Sequence, residues 1–136
     1  YWAIVGYKPP RPEGTLVHWL LKDEMRNKTT AFSKETPGTL RSELNYRIIE
    51  GGGNQWLLEV NPVTGRPHQI RVQLATMGCA IKGDLKYGDK DPNPDGSICL
   101  HALSLEFIHP VKKEKVKLTA PVPSIGLWKN FLKLNV

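Results

Sequence analysis

The first seven positions, YWAIVGY (1–7), are almost all aromatic or β-branched, a composition typical of a buried strand. Three prolines within residues 8–14 end that strand. The next apolar positions recur at helical spacing, and they predict a short helix over residues 14–22 with one apolar face: Leu16, Trp19 and Leu20.

Two hairpins are predicted from alternating segments. Residues 40–49 and 54–60 flank a run of three glycines, and glycine supplies the positive φ that a tight hairpin turn requires. Residues 98–107 and 114–120 also alternate and form the second predicted pair. Residues 83–97 are rich in turn formers and predict a surface loop.

Two further helices complete the prediction. At about 100° per residue, Ile70, Leu74 and Met77 share one face, and Gly78 is placed as the C-cap of that helix. Residues 123–134 are predicted to be helical from a second set of spaced apolar positions: Leu127, Phe131 and Leu134. The chain of 136 residues is therefore predicted to form a single α+β domain over 1–136, with a mixed, mainly antiparallel sheet and a few packed helices.

Arg71 raises a chemical question within that helix. On the wheel it lies between Leu74 and Ala75, so its guanidinium is expected to be partly withdrawn from water and to need a carboxylate. The helical neighbours at positions 67, 68, 74 and 75 are not acidic, so the anion must come from elsewhere in the fold.

Two interpretations of this cluster stay open from the pattern alone. In the first interpretation, Arg66 and His68 are solvated residues at a helix start and the Arg71 side chain extends to the surface. Alternatively, the cluster reads anions, with Arg71 orienting a buried carboxylate or a phosphate and Arg66 meeting backbone phosphates.

Charge favours a polyanionic partner. The net charge is +6 at pH 7, a bias that nucleic acid would match. Four lysines lie in the second predicted hairpin: Lys112, Lys113, Lys115 and Lys117. They form either a solvated rim or a set of contacts to RNA phosphates, and Lys112 and Lys113 are the main candidates for such contacts.

Other signals indicate a soluble, cytoplasmic protein without a metal. Cys79 and Cys99 sit in apolar contexts without a secretory leader, so both are expected to be buried free thiols. No apolar run approaches the roughly 18 residues of a membrane span. No metal site is expected, because the His and Cys residues fit no compact ligand spacing: His68, His101, His109, Cys79 and Cys99. His18 is expected on the surface of the short helix.

Four stretches together resemble the RluA-like family of pseudouridine synthases. These are TGRPHQIRVQLATMGCAIKGDLKYG (64–88), LHALSLEFIHP (100–110), TAPVP (119–123) and YWAIV (1–5). The resemblance implies the fold of that family's catalytic domain and the isomerisation of uridine to pseudouridine in ribosomal or transfer RNA. It also implies that RNA is the partner and that no metal or organic cofactor is needed.

The resemblance also implies roles for individual residues. Arg71 would pair with the catalytic aspartate of an HRLD-type motif, and Tyr1 would pack on a flipped-out uracil. Without the resemblance, an aromatic residue at a strand start is more often simple core. Substrate-binding positions would be Arg66, His68 and Gln69, with Leu74 and Ile81 as apolar walls. None of the aspartates of this chain lies in an HRLD-type motif: Asp23, Asp84, Asp89, Asp91 and Asp95. The resemblance implies that Asp84 is structural.

The absent nucleophile leads to two hypotheses. In the first, the chain is the C-terminal part of a pseudouridine synthase catalytic domain and is inactive alone. In the second, it is a catalytically empty RNA-binding module. We also expect that a strand starting abruptly at Tyr1 exposes an open sheet edge through which copies of the chain self-associate.

Overall fold

The computed structural model describes residues 1–108, 111–124 and 126–131. Strands dominate the described chain, and one α-helix and two 3-10 helices pack beside them. The α-helix is α1 (Gln69–Thr76), and the 3-10 helices cover Leu85–Tyr87 and Gly126–Phe131. The strands are β1 (Trp2–Val5), β2 (Glu13–Asp23), β3 (Lys28–Phe32), β4 (Leu40–Gly52), β5 (Gln55–Pro62), β6 (Leu100–His101), β7 (Ser104–Ile108) and β8 (Lys115–Thr119).

A six-stranded sheet forms the body of the fold, in the order β3-β2-β4-β5-β1-β6, and every pairing in it is antiparallel. β7 and β8 form a separate two-stranded sheet. The main core packs β1, β4 and β5 against α1, and fully buried residues such as Ile4, Leu57 and Leu58 fill it. The α+β prediction with a mainly antiparallel sheet is confirmed.

β1 lies inside the sheet rather than at its edge. Its residues pair with β5 on one side, and Trp2 and Ala3 pair with β6 on the other. Ile4 and Val5 continue the ladder towards Cys99 and Ile81. The open edge expected at the first strand is therefore wrong, and the predicted self-association loses the feature on which it was based.

The predicted helix over 14–22 is also wrong, because those residues form the long strand β2. β3 and β4 pair with β2 on its two sides and satisfy its backbone. A short apolar run has no decisive periodicity of its own, so these long-range pairings determined its conformation. His18 was predicted on the surface of that helix, and it is instead half-buried on β2, where its Nδ1 lies 2.9 Å from the Gln73 amide nitrogen.

The first hairpin is confirmed. β4 and β5 pair along their length with a register shift between Ile48 and Glu50, and Gly53 takes a φ of 59° at the turn. The second hairpin is confirmed as β7 and β8. Within the segment predicted as one strand over 98–107, the chain changes sheet, and the short strand β6 precedes β7.

α1 begins at Gln69 and ends at Thr76, and Gly78 follows it with a φ of 89°, as a C-terminal glycine should. Ile70 and Leu74 are buried as predicted, whereas Met77 is only partly buried. The helical spacing did not predict burial on the opposite side of the helix, where Val72 packs into a small second core with Leu20 and Tyr87.

The loop predicted over 83–97 is only partly a surface feature. Asp84 is 1% exposed and Tyr87 is 9% exposed, and both belong to a turn that folds back onto α1. The helix predicted over 123–134 is described as the 3-10 helix up to Phe131, with Trp128 and Phe131 buried, and Leu134 lies outside the described residues.

Cys79 and Cys99 are buried free thiols, as predicted. Among the described helices, none is long and apolar enough to cross a bilayer. His109 lies outside the described residues, and within the described ones no group of His, Cys, Asp or Glu is gathered in a way that could hold a metal ion.

Candidate functional site

A cleft of about 300 Å³ opens where the loop after β5 meets the first turn of α1 and the start of β1. The structure brings most of the predicted site residues together around it: Tyr1, Arg66, His68, Gln69 and Arg71. Residues that are distant in sequence thus form one concave surface, with an exposed ring and several hydrogen-bond donors.

Arg71 points its guanidinium at Asp84. Nε donates to Oδ2 and Nη2 donates to Oδ1, both at 2.8 Å, which is the bidentate geometry of a strong ion pair. The Arg71 side chain is 21% exposed, which confirms its predicted partial burial, and the Asp84 side chain is 1% exposed. The hydrogen bond to Asp84 raises the pKa of Arg71 further, although burial acts in the opposite direction.

This pairing adds a partner that the sequence analysis did not assign to Arg71. The carboxylate predicted for Arg71 belongs to a motif that residues 1–136 do not contain, and Asp84 is predicted to be structural. In the structure Asp84 itself supplies the anion that Arg71 requires. The interpretation in which Arg71 orients a buried carboxylate is thereby favoured over simple extension into solvent.

Tyr87 forms the floor beneath this ion pair. The carbon at the centre of the Arg71 guanidinium lies 4.9 Å from the centre of the Tyr87 ring, a cation–π contact. The Tyr87 hydroxyl accepts the backbone N–H of Thr29 at 2.9 Å, and it lies 2.6 Å from Nδ1 of His68. Tyr87 therefore contacts two of the predicted site residues, Arg71 and His68.

The turn over residues 83–88 brings these partners to α1. Gly83 has a φ of 87°, and its N–H donates to the Asp89 carboxylate at 2.6 Å. The backbone N–H of Asp84 donates to the Ile81 carbonyl at 3.0 Å. These local bonds fix the direction in which the Asp84 side chain leaves the turn.

Gln69 shapes the cleft from within. Its Oε1 accepts the Thr64 hydroxyl at 2.8 Å and the Arg66 N–H at 3.0 Å, and its Nε2 donates to the Glu43 carbonyl at 3.0 Å. The residue is 3% exposed. This amide fixes the loop before α1 to β4, and Gln69 also lines the cleft, so its predicted contact with substrate stays a prediction.

Arg66 is oriented by the same loop. Its Nε and Nη2 donate to the Arg41 carbonyl at 3.3 and 3.0 Å. No carboxylate binds it among the described residues. Its charge therefore faces the cleft without a neutralising partner in that part of the chain.

Tyr1 lies at the lip of the cleft. The residue is 41% exposed among the described residues. The backbone fixes its position, since the Tyr1 nitrogen donates to the Val60 carbonyl at 2.9 Å and the Val60 N–H donates to the Tyr1 carbonyl at 2.8 Å.

Leu74 and Ile81 were predicted to be walls of the site, and the structure places both in the core. Each is 0% exposed within the main cluster. They pack beneath the cleft and support α1 and the turn that follows it. Lys112 and Lys113 lie exposed between β7 and β8 and are not among the residues that line the cleft.

The sequence analysis assigned no site role to three residues that the structure brings to Arg71 and His68: Asp84, Tyr87 and Thr29. A signal was present, because an aspartate and a tyrosine three residues apart follow Gly83 in a glycine-bounded turn. The pattern does not specify where that turn packs, and only the packing on α1 shows what these side chains do.

The profile of the family described as RNA pseudouridylate synthase matches residues 1–76. The "Ribosomal large subunit pseudouridine synthase C" of Vibrio cholerae is 33% identical over 104 residues, which is 72% of this chain and 33% of that protein. The protein of the same name from Rickettsia prowazekii is 32% identical over 125 residues, 90% of this chain and 41% of that protein.

Solved structures share the fold. The human RNA pseudouridylate synthase domain-containing protein 4 superposes with a TM-score of 0.73 at 20% identity, covering 99% of this chain and 62% of that one. The human RNA pseudouridylate synthase domain-containing protein 1 superposes with a TM-score of 0.72 at 22% identity, covering 91% of this chain and 54% of that one.

The chain spans between 33% and 41% of the length of those two bacterial relatives. The family match nevertheless covers β1 to α1 and includes every residue that lines the cleft except Leu100, whereas the 83–88 turn lies beyond it. This chain belongs to the RNA pseudouridylate synthase family.

Proposed function

We propose that the protein isomerises uridine to pseudouridine in ribosomal or transfer RNA, and that this chain supplies part of the active-site cleft. One observation carries the proposal. In a member of this family, Arg71 is held by Asp84 in the same cleft as the exposed ring of Tyr1. No metal or organic cofactor is part of the proposed reaction.

The cleft residues suit a base that has left its stack. The ring of Tyr1 offers a flat apolar face to a flipped uracil, and flipping gives an enzyme access to a base that is otherwise stacked. Arg66 supplies a charge for the RNA backbone next to that base.

Arg71 retains N–H donors beyond those bound to Asp84, because a guanidinium has more donors than two bonds use. It can therefore bridge Asp84 and a second anionic group in the cleft. In this proposal the second group is the nucleophilic aspartate. Residues 1–136 contain no HRLD-type motif, so that aspartate must come from outside them.

The experiment is an assay of the full-length protein on ribosomal RNA and transfer RNA. Pseudouridine is detected by carbodiimide adducts that stop reverse transcription. We expect conversion of specific uridines without added metal. RNA binding with no conversion under any condition would contradict the proposal.

That negative outcome would favour the second candidate, a catalytically empty RNA-binding module. Its supporting observation is the absence of an HRLD-type motif in this chain. The coding sequence upstream of Tyr1 separates the two candidates. An HRLD-type aspartate there supports the synthase, whereas a start codon just before Tyr1 supports the module.

We also propose that Lys112 and Lys113 contact RNA phosphates. Their joint replacement by alanine is expected to weaken RNA binding and to reduce the slope of log affinity against log salt by about 1–2. Lys34→Ala, an exposed change just after the edge strand β3 of the main sheet, is the control. An unchanged slope in the double variant would show that these lysines form a solvated rim.

A cytoplasmic location completes the proposal, and the two free buried cysteines are compatible with a reducing compartment.

A further inference from the structure

His68 occupies an unusual backbone position at the cleft. It precedes the first turn of α1 as the N-cap with φ 57° and ψ 16°, in the left-handed region, and its side chain makes no capping hydrogen bond. A residue other than glycine there costs about 1–3 kcal/mol, and such strain concentrates at functional sites. The imidazole does not cap the helix, so the strained position is not explained by capping.

The imidazole is fixed by Tyr87, whose hydroxyl oxygen lies 2.6 Å from Nδ1 of His68. The same oxygen accepts the Thr29 backbone N–H at 2.9 Å, and an amide N–H can only donate. Within the described part of the chain the Tyr87 hydroxyl has no other acceptor for its own proton than Nδ1. The network is satisfied when Tyr87 donates to Nδ1 and the imidazole proton is on Nε2.

The surroundings favour the neutral ring. Burial lowers the pKa of His68 below its usual value, and the positive charges of Arg71, Lys86 and Lys22 lower it further, although Asp84 raises it. Tyr87 faces the ring edge-on, with ring centres 5.6 Å apart. At neutral pH the side chain is therefore an uncharged donor beside a cationic one.

We infer that His68 presents a fixed Nε2–H donor to the cleft, where it binds an oxygen acceptor of the RNA substrate, and that Tyr87 is the positioning residue that fixes this tautomer. The acceptor is a uracil carbonyl or a phosphate oxygen. The cleft then combines two kinds of donor: the charged Arg71, oriented by Asp84, and the neutral His68, oriented by Tyr87. This inference rests on the proposed function, since it names how the same cleft binds its substrate.

The tautomer is measured directly by ¹⁵N NMR of the histidine-labelled full-length protein at pH 7.5. The signal of His68 is assigned by its loss in His68→Asn. We expect a protonated Nε2 and an unprotonated Nδ1 in the wild type, and a mixture of tautomers in Tyr87→Phe, which keeps the ring under Arg71. A protonated Nδ1 in the wild type, or an unchanged spectrum in Tyr87→Phe, would overturn the assignment.

RNA binding tests the donor independently of turnover. Tyr87→Phe and His68→Ala are expected to raise the dissociation constant, and KM where turnover occurs, about two- to tenfold while kcat changes less. His68→Asn should lose less than His68→Ala, because asparagine tolerates the left-handed region and keeps an amide donor. Tyr46→Phe, the loss of a hydroxyl from a core tyrosine 4% exposed, is the matched control.

The acceptor is identified with RNA that carries an abasic site at the modified uridine. If the Tyr87→Phe effect persists on that RNA, His68 binds a phosphate, and if the effect disappears, it binds the uracil. Unchanged RNA affinity in both Tyr87→Phe and His68→Ala, with unchanged thermal unfolding, would refute the inference. Wild-type protein that binds RNA without forming pseudouridine would reject the proposed isomerisation and leave the donor test valid.

Discussion

Replacing Arg71 with methionine in the full-length protein is expected to lower pseudouridine formation by at least about 10²-fold, the usual scale for loss of an oriented charge at a reacting centre. The guanidinium is aligned by two 2.8 Å hydrogen bonds to Asp84 and lines the same cleft as Tyr1. Arg71→Lys keeps the charge but cannot make the bidentate pair, so it should recover little activity. The measurement is single-turnover conversion of a uridine-containing RNA.

The methionine variant also leaves Asp84 buried without its partner, which is expected to cost about 2–3 kcal/mol of stability after allowance for the partial exposure of Arg71. The double variant Arg71→Met with Asp84→Asn removes both charges and should recover most of that stability. Its activity should stay as low as that of Arg71→Met. This pair of results separates the role of Arg71 in the reaction from its role in the fold.

Arg47→Met is the matched control for these variants. Arg47 also binds a carboxylate, Glu59, at 2.8 Å, but its side chain is 55% exposed and it lies outside the cleft. Its loss should change activity and stability little, because exposed ion pairs contribute about 0–1 kcal/mol. Normal turnover by Arg71→Met would contradict the role proposed for this arginine.

Replacing Gly83 with alanine is expected to destabilise the protein by about 2–5 kcal/mol. The residue has a φ of 87°, and an added Cβ would lie 2.5 Å from Nδ2 of Asn93 and 2.6 Å from the Ser97 carbonyl oxygen. The backbone carbonyl cannot move away as a side-chain end can. Because Asp84 is the next residue, displacement of the turn should also misalign the ion pair with Arg71 and lower activity. Urea unfolding and the RNA assay measure the two effects.

Gly88→Ala is the control within the same turn. Gly88 also has a positive φ, 118°, but a Cβ there would meet nothing within 4 Å. Only the conformational cost remains, about 1–2 kcal/mol. Equal losses of stability in the two variants would show that the packing of the turn on residues 93 and 97 contributes nothing beyond backbone strain.

Elements that depend on residues close in sequence were predicted correctly, whereas elements that depend on distant segments were not. The β4–β5 hairpin was predictable because its glycine turn and alternating strands are close in sequence. β2 was not, because its conformation depends on pairing with β3 and β4. The burial of Asp84 was missed for a similar reason, since a turn-rich segment gives no sign of which surface it packs against.

The sequence by itself determined the family, the mainly antiparallel α+β architecture and the partial burial of an arginine that needs a carboxylate. These depend on motifs, alternation and helical spacing, which local side-chain chemistry specifies. Only the tertiary structure decided which carboxylate that is, that Tyr87 joins Arg71 to His68, and that Gln69, Leu74 and Ile81 support the cleft from within. Such pairings follow from how the 83–88 turn and β1 pack around α1, and packing between distant segments has no periodic signature in the chain.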